Sequence, residues 1–159
     1  MKNKNLSFMT QAAMIAAIYV VLTYIFAPFS FGEVQVRISE ALTILPIFTP
    51  AAIPGLFAGC LIGNILGGAI LPDIVFGSIA TLIGAFFTWK LREQKPVVAT
   101  FPPIISNIII VPFVLRYGYG VTLPIPFMML TVGIGEVLSC GVIGLVLQSA
   151  LKLQPCDLP

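Results

Sequence analysis

The sequence predicts an all-α fold, a bundle of six membrane-crossing helices forming one domain over residues 1–159. Three observations carry this. The chain is 58% hydrophobic and only 9% charged, where a soluble domain has about 45–50% apolar and about 25% charged residues. Too few polar side chains exist to cover a surface in water. The apolar runs approach the ~20 residues that a helical crossing needs and lack the alternation of barrel strands. The basic residues also gather on one side of those runs, as a multi-pass topology requires.

Helix 1 is expected from about Phe8 to Phe29, after Lys2 and Lys4; the run is long and lacks a convincing cleavage site, which argues against a signal peptide. Ala12, Ala13, Ala16 and Ala17 form two overlapping Ala-xxx-Ala pairs. Such small-residue stripes let another helix approach closely in lipid. From Val34 to Ser39, apolar Val34, Val36 and Ile38 alternate with Gln35, Arg37 and Ser39, the period of an extended segment. Helix 2 follows from about Glu40 to Phe48, so that Arg37 and Glu40 stand at the mouth of an extended loop feeding a helix.

Thr49-Pro50-Ala51-Ala52-Ile53-Pro54 should break the chain, since proline lacks a donor and clashes with the preceding turn. Helix 3 then starts near Gly55 and carries Gly55, Gly59, Gly63 and Gly67, a period-four ladder that reads as a packing face. Asn64 beside it is expected to bond a neighbouring helix. Leu71-Pro72-Asp73 turns into helix 4, which ends at Trp89 and the charged run Lys90–Lys95. Helix 5 spans about Val97–Leu115, interrupted by Pro102-Pro103 and Pro112, with Ser106 and Asn107 at mid-depth. Broken backbone at membrane depth is tolerated mainly where it lines a cavity. After Pro124-Ile125-Pro126, helix 6 runs to about Leu151 with Glu136 near its middle, and residues 152–159 form a short tail.

Six helices starting inside place Lys2, Lys4, Lys90, Arg92, Lys95 and Lys152 in the cytoplasm and leave Arg37 and Arg116 outside, so six of eight basic residues face inward. Both termini are then cytoplasmic. Glu33, Glu40 and Asp73 sit at outer ends and Glu136 lies deep. These four carboxylates against two arginines describe an acidic cavity. An ionisable residue in mid-membrane is costly, which marks Glu136 as a functional candidate. Asn107 at comparable depth can orient Glu136 or read a ligand edge. Phe113, Tyr117, Tyr119 and Phe127 lie at the outer mouth, where they either stack on a planar ligand or form an ordinary interface belt.

Several chemistries are poorly served. There is no His, the commonest general base and metal ligand. Cys60, Cys140 and Cys156 show no metal or disulfide spacing. No phosphate loop, HExxH or catalytic triad pattern occurs. A binding protein of the membrane fits better than an enzyme, with no cofactor, no metal and no nucleic acid expected. A membrane scaffold would explain the small-residue stripes but not Glu136.

Val34-Gln35-Val36-Arg37-Ile38-Ser39-Glu40-Ala41-Leu42-Thr43-Ile44-Leu45-Pro46, the alanine stripe of helix 1 and the six-helix plan resemble the queuosine-precursor transporter family, over the chain to about Leu151. Members are substrate-binding S components of energy-coupling-factor transporters. The resemblance implies a multi-pass protein of the bacterial plasma membrane that binds a deazaguanine-like base. It also implies docking through Ala12, Ala13, Ala16 and Ala17 on a membrane coupling subunit driven by two ATPase subunits. The candidate ligand-binding residues read from the sequence, Glu136, Glu40, Asn107, Arg37, Asp73, Tyr117 and Phe113, suit such a base. An S component for another vitamin or purine-like solute remains the alternative.

Overall fold

The computed structural model describes residues 3–30 and 35–153. Lys2, Glu33, Val34 and the 154–159 tail, with Cys156, lie outside the described residues. Helix α1 (Lys4–Ile25) is followed by a short α2 (Ala27–Ser30), a 3₁₀ helix (Ile38–Ile47), α3 (Ala52–Leu66) and α4 (Leu71–Lys90). Two longer helices complete the fold, α5 (Pro96–Gly118) and α6 (Ile125–Leu153). The described residues are helical and contain no strand. Helices α1, α4, α5 and α6 are long and apolar enough to cross a membrane; the 3₁₀ helix and α3 are shorter.

The small-residue stripes explain how α1 and α3 meet. A Cβ added to Gly55 would lie 2.7 Å from the Ala12 carbonyl oxygen, and one at Gly59 would lie 2.8 Å from Tyr19 Cβ and 3.1 Å from Ala16 Cα. At Gly63 it would meet Thr23 at 3.3 Å. Contacts that rise together along both helices mean that α1 and α3 run parallel, with the glycine ladder of one fitted to Ala12 and Ala16 of the other. The 3₁₀ helix returns the chain between them. Its start is tied to Thr23 through Ser39, and the turn after it is tied to Gln11 through Thr49. Helices α4 and α5 are antiparallel, joined by hydrogen bonds from Ser106 to the Ala80 carbonyl and from Thr88 to the Ala99 carbonyl. Gly84 gives the room for this, because a Cβ there would sit 2.6 Å from Pro103 Cα. Val111 and Leu115 pack with Met128 and Val132, setting α6 antiparallel to α5. The start of α1 and the end of α6 therefore lie at the same end of the bundle.

Four expectations change. Helix 1 covers Lys4–Ile25 and the chain re-turns at Phe26, rather than running from Phe8 to Phe29. Helix 2 begins earlier, at Ile38, and is 3₁₀ in character. Pro46 cannot donate to the Leu42 carbonyl, and Thr43 Oγ1 donates to the Glu40 carbonyl at 2.6 Å, a side-chain bond that competes with α-helical pairing. Helix 3 starts at Ala52, with Pro54 in its first turn, where a missing N–H costs nothing.

The largest difference is helix 5, which is not interrupted. It stays α-helical through Pro102, Pro103 and Pro112 as far as Phe113. The Ala99 carbonyl that Pro103 cannot reach accepts the Thr88 hydroxyl of α4 at 2.9 Å instead. A neighbouring helix thus supplies the donor that proline removes. The irregular backbone appears elsewhere, in π-helical stretches at Val114–Gly118 and Val137–Ile143.

Candidate functional site

The polar residues of this apolar chain converge in its interior. Arg37, Glu40, Asp73 and Glu136 are all at most 4% exposed. Arg37 closes an extended stretch (φ −88°, ψ 93°) whose Val36 N–H donates to the Phe29 carbonyl. That stretch lies directly on α6: a Cβ at Gly135 would be 2.2 Å from the Gln35 carbonyl oxygen. The segment is therefore packed into the bundle, and Arg37 and Glu40 are buried rather than standing at a solvated mouth.

Arg37 Nη2 donates to both carboxylate oxygens of Asp73, at 3.3 Å each. Its ion pair is thus with a residue 36 positions further along the chain. Tyr119 Oη donates to Asp73 Oδ2 at 2.9 Å, and Asn64 Nδ2 donates to the Asp73 carbonyl at 3.3 Å, the interhelical bond expected of Asn64. Burial first, then the Asp73 carboxylate, pushes the Tyr119 phenol above its ordinary value, so it remains a donor at neutral pH. Gly77 leaves the space this group needs, since a Cβ there would be 3.1 Å from Asp73 Oδ1 and 3.6 Å from Arg37 Nη1.

Glu40 stands beside this pair. Its Oε1 accepts from Tyr19 Oη and from Thr81 Oγ1, the latter at 3.0 Å. Its Oε2 is buried without a hydrogen-bond partner among the described residues. Glu136 approaches from α6 at the point where that helix widens into its π-helical stretch. There Cys140 Sγ lies 3.2 Å from Glu136 Oε2 and 3.4 Å from the Glu40 carbonyl oxygen, linking the two elements. Asn107 on α5 lies beside Glu136, yet its Nδ2 is a second buried group with no partner in strict hydrogen-bond geometry among the described residues.

One ligand atom each from Glu40, Glu136 and Cys140 fall within 4.8 Å of one another. Three buried carboxylates face a single buried guanidinium, and Asp73 is the one it pairs with. Two ionised carboxylates at that separation repel by roughly 3 kcal/mol at an effective dielectric near 20. A cation, or a proton on either carboxylate, relieves that repulsion in the Glu40–Glu136 pair. By donor chemistry the pair suits an ammonium or amidine-like edge, and with the thiol it also suits a borderline metal ion.

The aromatic candidates are not brought to this centre. Phe113 and Tyr117 stack on each other, with centroids 6.4 Å apart, along an exposed groove that they share with Pro72, Phe76 and Ile109. Tyr117 is 78% exposed. Tyr119 is the aromatic that reaches in. The alanine stripe divides: Ala12 and Ala16 are half-buried against α3, whereas Ala13 and Ala17 face outward. Sequence reasoning missed Tyr19, Thr81, Cys60 and Cys140 as members of the site. Cys140 was within reach, being four residues from Glu136 on one helix face. Tyr19 extends the Ala12–Ala16 face by one turn and carries the only hydroxyl-bearing ring in that row.

The family model described as QueT transporter matches residues 9–153. The queuosine precursor transporter QueT of Lactococcus lactis subsp. cremoris (strain MG1363) is 33% identical over 84 residues, 52% of this chain and 48% of that protein. The match thus spans about half the length of that relative. No solved structure matches the chain. With nearly its whole length covered by the family model, the chain belongs to the QueT transporter family.

Proposed function

We propose that this protein is the substrate-binding S component of an energy-coupling-factor transporter and takes up a queuosine precursor of the 7-deazaguanine type. The observation that carries the reading is the buried Glu40–Glu136 pair, with Glu40 Oε2 lacking a hydrogen-bond partner among the described residues and Asn107 lying beside Glu136. A flat base with an ammonium arm matches those groups. With oxygens within 4.8 Å of each other, the two carboxylates together receive one end of that base, its ammonium arm, rather than two opposite edges. Asn107 reads an acceptor on the base, and the Arg37–Asp73 pair fixes the outer wall. Family membership supports the transport role.

The chain would cross the bacterial plasma membrane six times, the 3₁₀ helix and α3 serving as the two short crossings, with both termini in the cytoplasm. The basic ends of the helices support that orientation. Helix α1 is the least buried of the long helices, at 17%, and its outward Ala13 and Ala17 suit close approach of a membrane coupling subunit. Two ATPase subunits would then supply the energy, since this chain has no phosphate loop of its own, and tilting of the S component in the bilayer would carry the ligand inward.

Mass spectrometry of small molecules released from the detergent-purified protein tests the substrate. Recovery of an aminomethyl-deazaguanine is the expected result. Recovery of a different vitamin or purine-like solute would keep the S-component reading and replace its ligand. Co-purification of a membrane subunit and two ATPases, lost in Ala13→Leu, tests the assembly separately.

A further inference from the structure

A groove of about 510 Å³ runs between α4 and α5, walled by Ile83 and Phe87 on one side and Pro102, Ile105 and Ile109 on the other, and Lys90 lines it at the end of α4. The walls from Pro102 to Ile109 extend over roughly 10 Å at the helical rise. No counterpart charge lies among the lining residues. Lys90 sits with its ammonium 5.2 Å over the Phe86 ring, an approach that uses none of its three N–H donors in a hydrogen bond. Arg92 and Lys95 follow in the same short turn. Arg92 is engaged locally, stacking 4.7 Å from the Trp89 ring and donating to the Trp89 carbonyl at 3.1 Å. Glu93, the one acid of the turn, is 84% exposed in its side chain and 3.9 Å from Arg92.

An apolar channel headed by a lysine in an aromatic, basic belt has the chemistry of a phospholipid site. We propose that this groove binds an anionic phospholipid, with one acyl chain along Phe87, Ile105 and Ile109 and the phosphate on Lys90, in the field of Lys95. Charge complementarity selects the headgroup, and the groove selects a chain-bearing ligand over free phosphate. The groove at the opposite end of these helices provides the contrast. It adjoins the first groove at Ile109 and continues along Phe76, Phe113 and Tyr117 with no charged wall residue, so lipids there have no reason to discriminate by charge.

The test is native mass spectrometry of the purified full-length protein, titrated with dioleoyl phosphatidylglycerol or dioleoyl phosphatidylcholine. Tighter retention of phosphatidylglycerol is expected. Lys90→Ala should weaken it about fivefold and Lys90→Ala/Lys95→Ala about 25-fold, at the strength typical of a basic residue near an anionic surface. Phosphatidylcholine should be little affected. Arg116→Ala, which removes the same charge at the other end of the bundle, should leave retention within twofold. Ile105→Trp, which fills the groove, should weaken both lipids, and glycerol phosphate should not compete. Equal retention of the two lipids, an Arg116→Ala effect as large as that of Lys90→Ala, or no effect of Ile105→Trp would each overturn the proposal.

Discussion

Replacing Tyr19 by phenylalanine removes one atom from the centre of the bundle and probes what holds Glu40. The ring is 1% exposed and packs in the cluster of Ile15, Leu42, Leu56 and Cys60, so Tyr19→Phe keeps the packing and deletes only the hydroxyl that donates to Glu40 Oε1. Thr81 then remains as the single side-chain donor to that oxygen. A hydrogen bond to a charged group contributes about 1.5–3 kcal/mol, a factor of roughly 10 or more in an equilibrium constant. Glu40 no longer held in place must be ordered when ligand binds, so the loss falls on affinity. Isothermal titration of aminomethyl-deazaguanine into the purified variant should show a Kd raised about tenfold or more, with unchanged gel-filtration behaviour. Thr81→Val should produce a smaller loss, and the double variant should depart from additivity because both groups serve one oxygen. A Kd for Tyr19→Phe within twofold of wild type, while Glu40→Gln abolishes binding, would refute the idea that Tyr19 positions this carboxylate.

Asp73→Asn leaves Arg37 buried without its carboxylate and should cost about 3–5 kcal/mol of stability, read as a fall in thermal midpoint of the detergent-solubilised protein. Gly135→Ala forces a methyl into the Gln35 carbonyl, backbone against backbone, and should cost about 3 kcal/mol in the same assay, whereas Gly68→Ala meets no neighbour and pays only the strain of its positive φ, about 1 kcal/mol. Ala13→Leu should leave ligand binding and thermal stability intact while abolishing co-purification of the coupling subunits. Ala12→Leu should instead destabilise the protein itself, because Ala12 is committed to Gly55.

Much of the bundle is legible in the sequence because its signals are local. Apolar run lengths, the period-four Gly55–Gly59–Gly63 ladder and the Ala12–Ala16 pair each reflect a physical need satisfied within a turn or two of helix. Placing Asn107 and Glu136 at matching depth needed only helix lengths, and the two side chains do lie together. The pairing of Arg37 with Asp73 was not legible, because it depends on how an extended segment seats against α6 and α4, a tertiary arrangement that Gly135 and Gly77 make possible. Helix 5 misled for a related reason. Its prolines signal breaks only if nothing replaces the lost donors, and Thr88 on α4 replaces one of them. For Phe113 and Tyr117 the sequence leaves open a ligand stack or an interface belt, because it does not fix which way their helix faces, and that helix turns them outward to stack on each other.

Whether the Glu40–Glu136 pair receives a cationic base is read most directly by a paired titration. Aminomethyl-deazaguanine, which carries the ammonium, and its neutral cyano analogue would be titrated into wild type, Glu40→Gln and Glu136→Gln. Wild type should prefer the cationic ligand at least tenfold, about 1.4 kcal/mol, and that preference should collapse in at least one of the two variants. Binding of the cationic ligand as tightly in both variants as in wild type would contradict that role of the pair.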